Sequence, residues 1–135
     1  MLVTMTWIAL VILLALVECI AFSFLVGGAR KRYNIPAPAI IGNPDFERTF
    51  RVHYNTIEHL IVFIPAIWLF GLYLNPRWGA LIGAVFLIGR ALFAAGYIRA
   101  AEQRSMGAIL SFLSMAALVI GALFGVIRVL LIVPQ

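Results

Sequence analysis

Charge is what this sequence has least of: Asp, Glu, Lys and Arg together make 11% of its 135 residues, and only five of those residues are acidic. A chain so poor in charge cannot cover a globular surface in water, where about a quarter of residues are ordinarily charged. Its mean hydropathy of +1.10 points to a lipid environment instead. Cysteine occurs once, at Cys19, which excludes an internal disulfide and any cysteine-based metal site. The two histidines, His53 and His59, are six residues apart and do not share a helix face, so no metal pair is expected. The shortage of acids leaves a net charge of +5. In a soluble chain that excess would suggest nucleic acid. Here the basic residues cluster between apolar runs, where they set the orientation of membrane spans, and no nucleic-acid partner is expected.

What the sequence does have is length of apolar run. A bilayer core of roughly 30 Å needs about 20 mainly apolar residues per helical span, and four runs meet that need: Leu2 to Val26, Tyr54 to Leu74, Trp78 to Tyr97 and Met106 to Val133. The expectation is an all-α, multi-pass integral membrane protein: one domain, residues 1–135, built as a four-helix bundle. The first run lacks a basic segment ahead of it and is too long for a signal peptide, so it reads as a retained helix. Eight of the ten basic residues fall on one side: Arg30, Lys31, Arg32, Arg48, Arg51, Arg90, Arg99 and Arg104. The positive-inside rule then puts both long basic connections in the cytoplasm, in a bacterial inner membrane or the endoplasmic reticulum.

Helix boundaries carry local signals. Gly27 and Gly28 are expected to end the first helix, and Pro36, Pro38 and Pro44 to hold the following connection extended. Asn43 can cap the second helix, with Pro44 at its first position and Asp45 and Glu47 in its first turn, where negative charge complements the helix dipole. Asn75 and Pro76 repeat that signature for the third helix, and Ser105 is expected to cap the fourth. Gly79 with Gly83, and Gly121 with Gly125, are small-residue pairs suited to close helix packing in lipid.

The polar residues inside this apolar frame are not scattered. At about 100° per residue, Arg48, Arg51, Asn55 and Glu58 share one face of the second helix. Arg90, Phe93, Tyr97 and, if the third helix continues so far, Arg104 form a matching stripe. Charge at the centre of a bilayer costs roughly 2.5 to 3.5 kcal/mol even on insertion scales, so these groups should face protein or a polar cavity. One arrangement is an internal ion-pair network joining Glu58 to Arg51 or Arg90. The arginines outnumber the acids at this level, however, which leaves positive charge for an anionic ligand. Glu18, an acid within the first run, is either a hydrogen-bonded structural group or, as in four-helix multidrug transporters, part of a transport site.

The segments "FERTFRVHYNTIEH" and "RALFAAGYIRAAEQR", with "AR" after the first helix and the proline-rich loop, resemble the membrane-associated proteins in eicosanoid and glutathione metabolism, MAPEG, in the leukotriene synthase and microsomal glutathione transferase branch. The resemblance implies a homotrimer of four-helix protomers in contact with membrane lipids. It also implies glutathione, held between protomers without a metal, as co-substrate for a hydrophobic electrophile or lipid hydroperoxide. Arg51, Asn55, Glu58 and Tyr97 match the family's glutathione-binding positions, Arg30 matches a residue supplied by the neighbouring subunit, and Arg104 matches the arginine that stabilises the thiolate. His53 stands where the family has glutamine, and His59 and Phe93 where it has tyrosine. The two histidines are expected as ligand contacts, and Phe93 removes a hydroxyl. A non-enzymatic lipid-binding scaffold of the same family is the alternative that the resemblance leaves open.

Overall fold

The computed structural model describes residues 2–132, leaving Val133, the last residue of the fourth apolar run, outside the described residues. Four long helices follow one another: α1 (Leu2–Tyr33), α2 (Pro44–Tyr73), α3 (Pro76–Arg99) and α4 (Ser105–Ile132), with a 3-10 turn, Ala101–Arg104, between the last two. All four are long and apolar enough to cross a membrane, and no strand occurs among the described residues. The protein is an all-α integral membrane protein.

α1 runs past Gly27 and Gly28 to Tyr33, seven residues beyond the expected end at Val26. A helical glycine costs about 1 kcal/mol relative to alanine, but breaking the helix near lipid would leave backbone groups unpaired, which costs more. The stop is set instead by Asn34, which adopts φ +53, while the Ile35 N–H donates back to the Arg30 carbonyl over 3.1 Å. This is the left-handed helix ending that asparagine tolerates.

The two asparagine-proline starts behave alike. The Asn43 side chain accepts from the backbone N–H groups of Asp45 and Phe46 at 2.9 and 3.1 Å, and Asn75 accepts from those of Arg77 and Trp78 at 2.9 and 3.1 Å. Glu47 reaches back to accept from the Gly42 N–H at 3.0 Å, and Asp45 pairs with Arg48 one turn on. Ser105 does not cap α4. It is already helical, at φ −61 and ψ −47, and its hydroxyl donates to the Glu102 carbonyl at 3.4 Å. Nor does α3 reach Arg104: it stops at Arg99, and Ala100 turns extended before the 3-10 turn.

The core joins all four helices through Ile8, Val11 and Ala15 of α1, Leu60, Phe63 and Ile67 of α2, Phe86 of α3 and Leu118 of α4. Phe63 and Phe86 stack with ring centroids 3.9 Å apart. The expected glycine pairs sit where large side chains seat, Gly83 against Ile67 and Val11, and Gly121 against Phe70. The closest crossing lies elsewhere, between α3 and α4. A Cβ on Gly107 would collide with the backbone nitrogen of Phe93, and one on Gly89 would come within 2.7 Å of the Ser111 nitrogen. That approach draws the start of α4 against α3 and shapes one wall of the cavity described next.

Candidate functional site

Arg51, Asn55 and His59 recur every four residues along α2, a spacing that keeps them on one face and steps inward by about 6 Å each time. With Phe93 and Tyr97 of α3, Arg104 of the 3-10 turn, and Ala108, Ile109, Phe112 and Leu113 of α4 they line a cavity of about 760 Å³. Its chemistry is graded. Two guanidinium groups and a phenol lie toward the loop end, and the α4 wall is apolar. Arg104 is held with its guanidinium carbon 5.3 Å from the centre of the Tyr97 ring. Arg51 and Tyr97 also border a second cavity of about 570 Å³ lined by Ile40, Ile41, Glu47, Arg48 and Tyr54.

Behind the polar wall lies Arg90, the largest fully buried side chain among the described residues. Its Nη1 donates to Asn55 Oδ1 at 3.0 Å and meets His59 Nδ1 at 3.1 Å. Nη2 donates to the Thr56 hydroxyl at 2.8 Å, which in turn donates to the Val52 carbonyl at 2.8 Å. The guanidinium carbon lies 4.4 Å from the centre of the Phe93 ring. Nε is buried without a partner.

The expected ion pairs of Glu58 are not formed. Its carboxylate accepts from Asn55 Nδ2 at 3.2 Å and points to the exposed side of α2. Among the described residues the ion pair within 4 Å is Arg48 with Asp45. Arg90 is therefore hydrogen-bonded to neutral oxygen and nitrogen acceptors and packed on an aromatic face, with Glu18 of α1 near enough to act on its charge without forming an ion pair within 4 Å. Glu58 is exposed, whereas Thr56 is buried and Asn55 and His59 are half-buried on the side that meets Arg90. Glu18 is half-buried on α1 and forms no ion pair among the described residues.

Five of the eight residues singled out from the sequence thus meet at one cavity: Arg51, Asn55, His59, Tyr97 and Arg104. Glu58 borders them through Asn55 but does not line it. His53 is half-buried on α2 and away from it. Arg30 sits in the last turn of α1, where its Nη1 donates to the carbonyls of Ala39 at 2.6 Å and Ile35 at 3.3 Å and its guanidinium carbon lies 5.0 Å from the Phe46 ring centre. The sequence reading passed over the α4 wall, whose apolar residues look like any lipid-facing helix. It placed Arg90 in the stripe of α3, with an ion pair from Glu58 to Arg51 or Arg90 as one arrangement, whereas Arg90 is buried behind the wall and bonded to Asn55, Thr56 and His59. Among the described residues no three His, Cys, Asp or Glu side chains come together as a metal site.

Comparison with known proteins decides the family. The MAPEG family model matches residues 5–124. The chain belongs to the MAPEG family. Among similar proteins, microsomal glutathione S-transferase 2 of Homo sapiens is 40% identical over 103 residues, covering 76% of this chain and 70% of that protein. Leukotriene C4 synthase of Bos taurus is 35% identical over 83 residues, 62% of this chain and 55% of that protein. An uncharacterized protein of Synechocystis is 46% identical over 121 residues, 90% of this chain and 88% of that protein. The resemblance drawn from the polar segments is therefore correct at the level of the family.

Proposed function

We propose that this MAPEG protein is a membrane glutathione transferase that joins the glutathione thiolate to apolar electrophiles and acts on lipid hydroperoxides. The observation that carries this reading is the graded cavity, with Arg51, Tyr97 and Arg104 at one end and the apolar wall of α4 along it. Glutathione brings two carboxylates and one ammonium, which suits a site richer in arginine than in acid. An electrophile dissolved in the bilayer would approach along Ile109, Phe112 and Leu113. Similarity to microsomal glutathione S-transferase 2 supports the same class of chemistry.

In this scheme Arg104 stabilises the sulfur anion. A thiol of pKa about 8.5 is only a few per cent ionised at neutral pH, and a neighbouring guanidinium favours the nucleophilic form. The thiol proton passes to solvent, the sulfur lone pair forms a C–S bond, and the leaving group departs with its bonding electrons. With a hydroperoxide, the thiolate takes the terminal oxygen as the O–O bond breaks. The lipid alkoxide gains a proton, and a second glutathione converts the sulfenic acid to the disulfide with release of water. Arg51, Asn55, Glu58, His59 and Tyr97 hold the tripeptide in this scheme. Arg30 reaches the tripeptide bound by a neighbouring protomer of a homotrimer, His53 is a further ligand contact, and the chain forms one domain whose basic loops face the cytoplasm.

The test is the ultraviolet thiolate absorbance of the glutathione complex together with turnover of a chromogenic electrophile, for the parent and for Arg104→Ala. The variant should lose the thiolate signal and turn over about a hundredfold more slowly, in line with removal of a single charge-stabilising donor, while still binding glutathione. If the parent binds glutathione with neither thiolate signal nor turnover, the transferase reading is wrong and a lipid-holding scaffold replaces it.

A further inference from the structure

An arginine side chain has donors only. Arg90 is fully buried, so the groups that face it must accept, and that requirement fixes their orientation. Asn55 turns Oδ1 to Arg90 and is left with Nδ2, which donates to Glu58. His59 turns Nδ1 to Arg90 at 3.1 Å. A ring nitrogen that accepts carries no proton, so the imidazole proton must sit on Nε2. His59 lines the cavity, and its Nε2 is not among the buried unpartnered atoms, which are Nε of Arg48 and Nε of Arg90.

We infer that Arg90 is a positioning residue that sets the hydrogen-bonding polarity of the cavity wall, holding His59 as the neutral Nε2–H tautomer so that it offers a donor to an acceptor atom of the ligand. The wall then presents donors from Arg51, His59, Tyr97 and Arg104, with its acceptors turned inward. Such a lining selects an acceptor-rich anion and disfavours a cationic or donor-rich one. Identifying the acceptor as a carboxylate or the thiolate of glutathione rests on the function proposed above. The tautomer assignment does not.

The protein has two histidines, so its side chains can be labelled with nitrogen-15 and read one by one in detergent micelles, the His53 signals being identified by their loss in His53→Gln. At neutral pH the His59 ring should be singly protonated, at the nitrogen that couples to both carbon-bound ring protons. Protonation at the other nitrogen, or at both, overturns the proposal. In Arg90→Met the preference should give way to a mixture of tautomers, and an unchanged spectrum in that folded variant would also overturn it. Should Arg90→Met fail to fold, the parent spectrum alone still decides. Calorimetry supplies the ligand arm: His59→Gln, which keeps an N–H donor, should bind glutathione within about threefold of the parent, and His59→Leu about tenfold or more weaker. Equal binding by His59→Leu overturns the donor role. Weaker binding with the thiolate signal retained puts the acceptor at a carboxylate, and loss of that signal puts it at sulfur. A parent that binds no glutathione would defeat the proposed function while the ring spectrum still tests Arg90.

Discussion

At the scale of single residues, the arginine excess seen in the sequence has a structural answer in two parts. Arg51 and Arg104 face a cavity, whereas Arg90 is enclosed by Asn55, Thr56, His59 and Phe93. The helical spacing made Arg51 and Asn55 legible in advance because periodicity along one helix is a local property, whereas His59 came only through the family resemblance. The partner of Arg90 was not legible, because which of several polar residues meets it depends on how α2 and α3 are rotated against each other. Thr56 illustrates the point: an ordinary threonine in the sequence, it is almost fully buried and accepts from the guanidinium. Thr56→Val keeps the shape and removes that acceptor. It should cost about 1.5 to 3 kcal/mol, the range for hydrogen bonds to charged groups, measured as a lower unfolding midpoint in detergent. Arg51→Ala should weaken glutathione binding by about tenfold, and unchanged calorimetric affinity would remove Arg51 from the proposed site.

At the scale of elements, the starts of α2 and α3 were legible because an asparagine followed by proline encodes its own cap. The end of α1 was misjudged because glycine is a breaker only where water can take over the backbone groups. The position of Arg104 was hidden for a third reason. The chain leaves α3 at Arg99 and folds Gln103 back on Gly96, where an added Cβ would collide with the Gln103 carbonyl. That contact joins residues seven apart through irregular backbone, and no periodicity announces it. Gly96→Ala should therefore displace the 3-10 turn and Arg104 with it. The expected result is loss of thiolate formation with helix content by circular dichroism unchanged, and full thiolate formation would show that the turn is not set by this glycine. Asn75→Ala should remove about 1 kcal/mol of stability through loss of the cap, and it should leave the thiolate signal intact, because the cap lies at the other end of α3.

At the scale of the whole molecule, the helices cover only part of one another. Trp7, Leu13, Val17 and Phe24 of α1 and Phe112, Ile120, Phe124 and Leu131 of α4 remain exposed, as surfaces that meet lipid or another protomer must be. Native mass spectrometry from detergent should give three chains per particle, and a stable single chain would contradict the proposed trimer. The four-helix character was legible from run length alone, since a span is a property of composition. Two residues, Leu74 and Asn75, separate α2 from α3, and this has a consequence for biogenesis. Released alone into the membrane, α3 would carry the bare charge of Arg90 into hydrocarbon, at roughly 2.5 to 3.5 kcal/mol on insertion scales. A connection so short lets α2 accompany it, with Asn55, Thr56 and His59 already at hand to receive that charge. The nascent chain should therefore partition as a helical hairpin, and separating the two segments by a long hydrophilic spacer should lower the insertion of α3 more than that of α2.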